Sequence, residues 1–237
     1  MSDPIKHECG IALIRLLKPL SFYREKYGTW KYGLNKLYLL MEKQHNRGQD
    51  GAGVVCVKDH LEPGSAYINR YRSIQPNPIK DVFDRINKPL KKAIRKGTDV
   101  DNCEWAYQHY PYAGELYLGH LRYGTFGKNS IGFVHPVMRQ NNWKSRNLAL
   151  AGNFNLTNTD ELFEVLVGLG QHPKAYTDTV TALEKVGHFL DEENQLLFRK
   201  YKNEGYRNFE ISPLIEENLD IQNILERATK DWDGGYS

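Results

Sequence analysis

The spacing of apolar residues along the chain predicts a fold of short strands and amphipathic helices. Apolar runs predict strands at residues 10–14, 54–57, 66–71, 115–123 and 147–151, the first of them buried. Stripes of apolar residues at helical spacing predict helices at residues 34–41, 77–96, 159–169, 178–190 and 221–228. Because these strands and helices do not alternate regularly, the pattern favours a layered α+β domain over a doubly wound sheet.

Three parts of the chain interrupt this pattern. Pro89 lies inside the helical stripe of residues 77–96 and is expected to kink or divide that helix. Residues 97–114 contain turn formers and aromatic residues without a clear period, which favours an insertion or surface cover. Residues 191–207 are mostly polar and predict an exposed arm or hairpin.

Composition and charge bear on which classes of function are plausible. The 237 residues carry a formal charge of only +3, and the basic cluster at residues 91–96 recurs at helical spacing, so we expect a solvated helix face and not a nucleic-acid patch. No apolar run approaches the roughly 20 residues of a membrane helix, and residues 1–8 lack a signal-peptide core.

The cysteines, Cys9, Cys56 and Cys103, are odd in number and lack CxxC spacing. We therefore expect neither a disulfide framework nor a metal site, and a cytoplasmic protein.

Cys9 is the most reactive candidate in the chain, because it precedes the first strand and lies near the start of the sequence. Removal of residues 1–8 would give Cys9 a free α-amine beside its thiol. An α-amine titrates near about 8 and a thiol near about 8.5, so the amine could take the thiol proton at neutral pH. The alternative is a small buried cysteine in a first strand.

Other candidate residues stand where strands end or helices begin. Arg122 lies among apolar neighbours and needs an anionic partner, either a ligand or a structural ion pair. Asp178 falls in the first turn of a predicted helix, where an ordinary helix-start acid would also lie. Residues 152–157 predict a polar loop, and Asn158 with Glu161 resembles an N-cap pair at the start of the following helix.

Five motifs, taken together and in this order, resemble the class II glutamine amidotransferases. They are Cys-Gly-Ile at residues 9–11, Arg-Gly-Gln-Asp-Gly-Ala-Gly at 47–53, Gly-His-Leu-Arg-Tyr-Gly-Thr at 119–125, Asn-Leu-Thr-Asn at 155–158 and Thr-Asp-Thr at 177–179. The resemblance implies a four-layer αββα sandwich of the N-terminal nucleophile hydrolase type. It also implies a propeptide at residues 1–8 and a glutaminase domain at residues 9–237 that is incomplete at its C-terminus.

The resemblance gives three residues a catalytic role. Cys9 would attack the side-chain carboxamide of glutamine, with its own amine as base. The Asn153 side-chain amide and the backbone N–H of Phe154 would stabilise the tetrahedral oxyanion. The family usually has glycine at the position of Phe154, so a positive φ there would strain this residue by roughly 1–2 kcal/mol unless the loop bends differently.

The resemblance also supplies a binding site for free glutamine. Arg122 would pair with the α-carboxylate, assisted by Thr125. Asp178 would pair with the α-ammonium group. The turn at Arg47 and Gly48 would close over the substrate.

Within the family, the motifs are most similar to the branch that carries a C-terminal phosphoribosyltransferase domain, which lies outside these 237 residues. The ammonia would then form phosphoribosylamine from phosphoribosyl pyrophosphate, with Mg²⁺ in that other domain, as a step of purine synthesis. No cofactor, nucleic acid or membrane is expected for residues 1–237, and the full-length protein is expected to be a homo-oligomer. The alternatives are another class II amidotransferase, such as glucosamine-6-phosphate synthase, and a non-catalytic glutaminase module.

Overall fold

The computed structural model describes residues 8–124 and 130–237, and the chain divides into two compact units between Pro136 and Val137. The described part of the first unit contains the strands β1 (Gly10–Arg15), β2 (Gly51–Val57), β3 (Ile68–Ser73) and β4 (Leu116–Arg122). Its helices are α1 (Leu20–Tyr27), α2 (Tyr32–Lys43), α3 (Pro78–Arg95) and α4 (Cys103–His109).

The four strands form one antiparallel sheet in the order β1-β4-β2-β3. Side chains alternate across a strand, so Ala52, Val54 and Leu121 share one face of this sheet and pack into the core with α2 and α3. Gly119 lies on this face opposite Met41, where an added Cβ would come within 2.6 Å of the Met41 sulfur. Close helix-to-sheet packing therefore depends on glycine in β4.

Three predictions for the first unit are wrong. The first strand lies at the edge of the sheet and is not buried throughout, since Leu13 is 61% exposed. Pro89 does not divide the predicted helix, because α3 runs unbroken from Pro78 to Arg95 and the exposed proline leaves its buried side packed. Residues 97–114 are not a surface cover, because they form α4 and bury Tyr110 and Tyr112 in the core.

The second unit contains short strand pairs and four helices. Its strands are β5 (Val137–Arg139), β6 (Leu148–Leu150), β7 (Phe154–Leu156) and β8 (Gly234–Tyr236), with β5 paired to β6 and β7 to β8, both antiparallel. Its helices are α5 (Thr159–Gly168), α6 (Asp178–Asn203), α7 (Asn208–Asn218) and α8 (Ile221–Thr229). The long helix α6 contacts the other three helices and β5, and it forms the centre of this unit.

The predicted exposed arm at residues 191–207 is wrong, because α6 runs on to Asn203. Asn194 and Tyr201 continue the buried side of this helix, and Asn194 is a polar residue in a core position. Its Nδ2 donates to the Leu190 carbonyl at 2.7 Å, and its Oδ1 accepts from the Ser145 hydroxyl. The buried amide is thus satisfied by hydrogen bonds and interrupts the apolar stripe that would have revealed the helix.

The α+β class is confirmed by this mixture of antiparallel strands and helices. Over the described ranges, 8–124 and 130–237, none of the helices combines the length and the apolar character needed to cross a lipid bilayer.

Candidate active site

Cys9 lies at the start of β1, at one end of the first sheet. The register pairs Gly10 with Leu121, so continuing it by one residue places Cys9 opposite Arg122. Gly10 is on the helix-packed face, and alternation places Cys9 on the opposite face, together with Arg122. Cys9 is partly exposed, and none of the chain's three cysteines, all of which lie in the described ranges, forms a disulfide. The predicted nucleophile and the predicted carboxylate clamp therefore flank the paired residues Gly10 and Leu121.

Arg122 is buried at the end of β4, with 6% of its surface exposed. Its backbone pairs with Gly51 of β2. The guanidinium carbon is 5.5 Å from the centre of the Phe133 ring, so the cation lies over an aromatic face. Phe133 was not predicted from the sequence, because its contact with Arg122 depends on a loop that returns to the sheet.

The turn at Arg47 and Gly48 packs directly against the end of β4. A Cβ on Gly48 would lie 2.7 Å from the carbonyl carbons of Leu121 and Arg122, so only glycine permits this approach. The Asp50 N–H donates to the Arg122 carbonyl at 3.0 Å, and the Asp50 carboxylate accepts from the Gly124 N–H at 2.7 Å. Asp50 thus attaches the turn to the segment that follows β4.

Asp50 was also not assigned a role from the sequence. It stands inside the Arg-Gly-Gln-Asp motif, so its position was visible, but its bond to Gly124 joins residues 74 positions apart. Thr125, predicted to assist Arg122, lies outside the described residues. Arg47 extends outward, and its Nη2 lies 2.7 Å from the Glu8 carboxylate, with both side chains about half exposed.

Asn153 and Phe154, the predicted oxyanion pair, lie in the second unit where β7 begins. Asn153 and Ser237 exchange backbone hydrogen bonds of 2.9 and 3.0 Å. In an antiparallel pair the next residues are not hydrogen-bonded to each other, so the Phe154 N–H faces the edge of β7 away from β8. The Asn153 side chain is exposed. The predicted polar loop is therefore partly a strand.

Phe154 does not carry the strain that its place in the family pattern suggested. No non-glycine residue in the described ranges has a positive φ, so the chain bends differently and Phe154 is extended. Its ring packs edge-on against Trp232, with ring centres 6.1 Å apart. The same ring covers Gly152, where a Cβ would lie 2.5 Å from it. Gly152 thus provides the space that the Phe154 ring occupies.

Asp178 is the first residue of α6, as predicted, and Thr177 caps the helix by accepting from the Val180 N–H at 3.1 Å. The Asp178 Oδ1 accepts from the Thr179 N–H at 2.6 Å and from the Thr179 hydroxyl at 3.1 Å. Burial raises the pKa of the Asp178 carboxyl, and the hydrogen bonds from Thr179 oppose this shift only in part. A carboxylate in this environment would be stabilised by a cation.

Asn158 precedes α5 as predicted, but the N-cap prediction is wrong in its chemistry. Its side chain makes no capping hydrogen bond. Instead, its Nδ2 donates to the Asp231 carbonyl at 2.8 Å and its Oδ1 accepts from the Asp233 N–H at 3.2 Å. The Asn158 amide therefore holds the segment that leads into β8.

The structure brings Cys9, Arg47, Gly48 and Arg122 together at one end of the first sheet. Asn153, Phe154 and Asp178 all lie in the second unit. Within residues 8–124 and 130–237, no group of three or more His, Cys, Asp or Glu side chains is placed to hold a metal ion.

The sequence is similar to glutamine amidotransferases, and the fold is similar to that of one solved member of that class. No protein-family model matches the chain. The chain resembles amidophosphoribosyltransferase from Pasteurella multocida, with 27% identity over 168 residues that cover 70% of this chain and 26% of that protein. It also resembles the glutamine–fructose-6-phosphate aminotransferase of Pseudomonas putida, with 32% identity over 104 residues that cover 44% of this chain and 16% of that protein.

The fold is similar to that of the glutamine phosphoribosylpyrophosphate amidotransferase from B. subtilis, solved with ADP and GMP. The match has a TM-score of 0.51 and 17% identity, and it covers 96% of this chain and 33% of that one. The chain thus spans about a quarter of the curated amidophosphoribosyltransferase that it matches.

Proposed function

We propose that this chain hydrolyses glutamine to glutamate and ammonia with Cys9 as the nucleophile. The observation that carries the proposal is the meeting of Cys9, the Arg47 turn and Arg122 at one end of the first sheet. A nucleophile beside a buried cation suits a substrate that carries a carboxylate.

In the proposed reaction, the Cys9 sulfur attacks the carboxamide carbon while the α-amine of Cys9 takes the thiol proton. The amine then protonates the departing ammonia, which leaves a γ-glutamyl thioester. Water hydrolyses the thioester and restores the thiol. The mechanism requires a free Cys9 amine, because an acylated nitrogen is an amide and cannot act as a base. The bond between Glu8 and Cys9 must therefore be cut before the first turnover.

We assign roles to the remaining site residues from their charges and from the hydrogen-bond donors that they offer. Arg122 would pair with the α-carboxylate of glutamine, together with Thr125. Asp178 would pair with the α-ammonium group, which is consistent with a half-buried carboxylate that is short of positive charge. The Asn153 amide and the Phe154 N–H would donate to the oxyanion, where one such donor is typically worth about 2.7–4 kcal/mol.

We further propose that the ammonia reacts with phosphoribosyl pyrophosphate in a C-terminal domain of the full-length protein, with Mg²⁺ bound there. The similarity to amidophosphoribosyltransferase over 70% of this chain supports this acceptor. The similarity to glutamine–fructose-6-phosphate aminotransferase favours a second candidate, in which the acceptor is a sugar phosphate.

The test uses processed full-length protein and two acceptors in parallel. With glutamine and Mg²⁺, phosphoribosyl pyrophosphate should release pyrophosphate and stimulate glutamate formation, whereas fructose 6-phosphate should have no effect. The Cys9→Ala variant should form no glutamate. Stimulation by fructose 6-phosphate alone would move the chain to the second candidate. Absence of glutaminase activity in a protein that begins at Cys9 would refute the proposal.

A further inference from the structure

Glu8 is the residue before the predicted cleavage point, and its carboxylate forms an ion pair with Arg47 at 2.7 Å. Within the described ranges it is the one carboxylate within 4.0 Å of the Arg47 guanidinium. Asp50, three residues further along the same turn, bonds instead to the Gly124 N–H at 2.7 Å.

The turn that carries Arg47 cannot easily move away from Glu8. Gly48 is packed against the backbone of β4 at a distance that allows no Cβ, and the Asp50 N–H is bonded to the Arg122 carbonyl. Glu8 lies two residues before the start of β1. The ion pair therefore forms within the chain, with no ligand present.

We propose that the Glu8 carboxylate is a built-in competitor for the Arg47 guanidinium, present only while residues 1–8 remain attached. Glu8 occupies a cation that the substrate would otherwise meet, and cutting the bond between Glu8 and Cys9 releases it. The inference rests on the proposed function, since it assumes that Arg47 contacts glutamine. It adds a second effect of processing, the release of Arg47, to the release of the Cys9 amine.

The expected effect is modest because the pair is exposed. Ion pairs of this kind are typically worth less than 1 kcal/mol, so removing Glu8 as a competitor should tighten glutamine binding about twofold to fivefold. Added salt should shrink the difference, because solvent-exposed charges are screened at high ionic strength.

The experiment measures glutamine binding by isothermal titration calorimetry in full-length Cys9→Ala protein, which can neither cut itself at Cys9 nor hydrolyse the substrate. Adding Glu8→Gln should lower the Kd for glutamine about twofold to fivefold at low salt. The matched control is Glu62→Gln, an exposed carboxylate distant in sequence from the turn, which should leave the Kd unchanged. Adding Arg47→Gln should weaken binding and abolish the effect of Glu8→Gln.

A third protein separates the inference from the function on which it rests. This protein carries Cys9→Ala, lacks residues 1–8 and keeps the rest of the full-length chain. It has no Glu8, so it should bind glutamine at least as tightly as the Glu8→Gln protein. If this shortened protein binds no glutamine, the proposed function fails. If it binds glutamine and Glu8→Gln leaves the Kd of the longer protein unchanged, the competitor role of Glu8 is overturned while the function stands.

Discussion

At the scale of single residues, each unit contains a charged candidate residue that is at least partly removed from water, Arg122 in the first unit and Asp178 in the second. Arg122 pairs with Gly51 of β2 and its guanidinium lies over the Phe133 ring, so the cation has a defined position. Asp178 begins α6 and is partly removed from water. A free amino acid has a carboxylate that could pair with Arg122 and an ammonium group that could pair with Asp178. Each pairing gives a separate prediction.

Arg122→Lys should weaken glutamine binding although the charge is kept. An ammonium group cannot reproduce the bidentate pairing of a guanidinium with a carboxylate, and it stacks less well on Phe133. We expect the KM for glutamine to rise at least about tenfold in processed protein, measured as glutamate formation. Arg15→Lys, at the exposed far end of β1, is the matched control and should leave the KM unchanged. An unchanged KM for Arg122→Lys would mean that the carboxylate binds elsewhere.

Asp178→Asn should weaken glutamine binding by about 10–100-fold, because charge-assisted hydrogen bonds are typically worth about 1.5–3 kcal/mol. The variant keeps the Oδ1 that accepts from Thr179. Asp220→Asn, at the N-cap of α8, is the control for an ordinary helix-start acid and should leave the binding of glutamine intact. Equal losses in both variants would contradict a specific role for Asp178.

The raised pKa of Asp178 also predicts that the stability of the protein depends on pH. The folded pKa of Asp178 is raised above its unfolded value, so the folded protein binds the proton more tightly. The contribution of Asp178 to the free energy of unfolding is therefore most favourable at pH values below the pKa of the unfolded state. This contribution decreases as the pH rises through the pKa of the folded state. Asp178→Asn should be more stable than the parent at neutral pH, and urea unfolding should show that this difference disappears in acid.

At the scale of secondary structure, the strand β7 explains why residue 154 can be phenylalanine where the family usually has glycine. The strand pairs with β8, Phe154 is extended, and the ring lies between Trp232 and Gly152. The backbone N–H of Phe154 faces away from β8, so strand formation does not consume it. The residue therefore serves packing through its ring and leaves its N–H directed out of the strand pair.

Phe154→Gly should lower the free energy of unfolding by about 1–3 kcal/mol. The half-buried ring loses its contacts with Trp232, and glycine is less favourable than other residues in a strand. Glutaminase turnover should change little, because the backbone N–H is kept. Urea unfolding gives the midpoint, and Phe154→Leu should show a smaller loss. A gain in stability would indicate backbone strain at this position that the extended conformation does not explain.

At the scale of the whole molecule, the first unit contains Cys9, the candidate nucleophile, with Arg47, Gly48 and Arg122, and the second unit contains the oxyanion candidates and Asp178. The chain spans about a quarter of the curated amidophosphoribosyltransferase that it matches. Any activity beyond glutamine hydrolysis must therefore be tested on the full-length protein.

We predict that mature full-length protein lacks residues 1–8 and begins at Cys9. Intact-mass measurement of protein purified under reducing conditions from its native source tests this directly. The Cys9→Ala protein should retain all eight residues if the chain cuts itself. A mature protein that keeps these residues and still hydrolyses glutamine would exclude the Cys9 amine as the base.

Local signals in the sequence were sufficient for several elements. The apolar stripe of α2, with Leu34, Leu37 and Met41 buried, and the strand β4 were predicted close to their observed bounds. The start of α6 was predicted as well, because Thr177 supplies a capping hydroxyl and the stripe begins at once. In each case neighbouring residues carry both the periodicity and the boundary signal.

Elements that depend on distant partners were missed. The helix α6 continues past Leu190 because its buried Asn194 is satisfied by Ser145, 49 positions away. The strand β7 exists only because β8 pairs with it, and residues 154–156 alone have no strand signal. The residues Tyr110 and Tyr112 are buried by packing that their own segment does not reveal.

The sequence by itself determined the α+β class of the fold, because local periodicity reveals most strands and helices. Thiol and amine chemistry and five ordered motifs predicted Cys9 as the nucleophile and the charged residues around glutamine, and these remain predictions. The tertiary structure decided that Gly48 packs on β4, that Gly10, next to Cys9, pairs with Leu121, next to Arg122, and that Glu8 reaches Arg47. Local conformational preferences amount to about 1 kcal/mol or less per residue. Burial and backbone pairing between distant segments outweigh them, so these contacts become visible only in the folded chain.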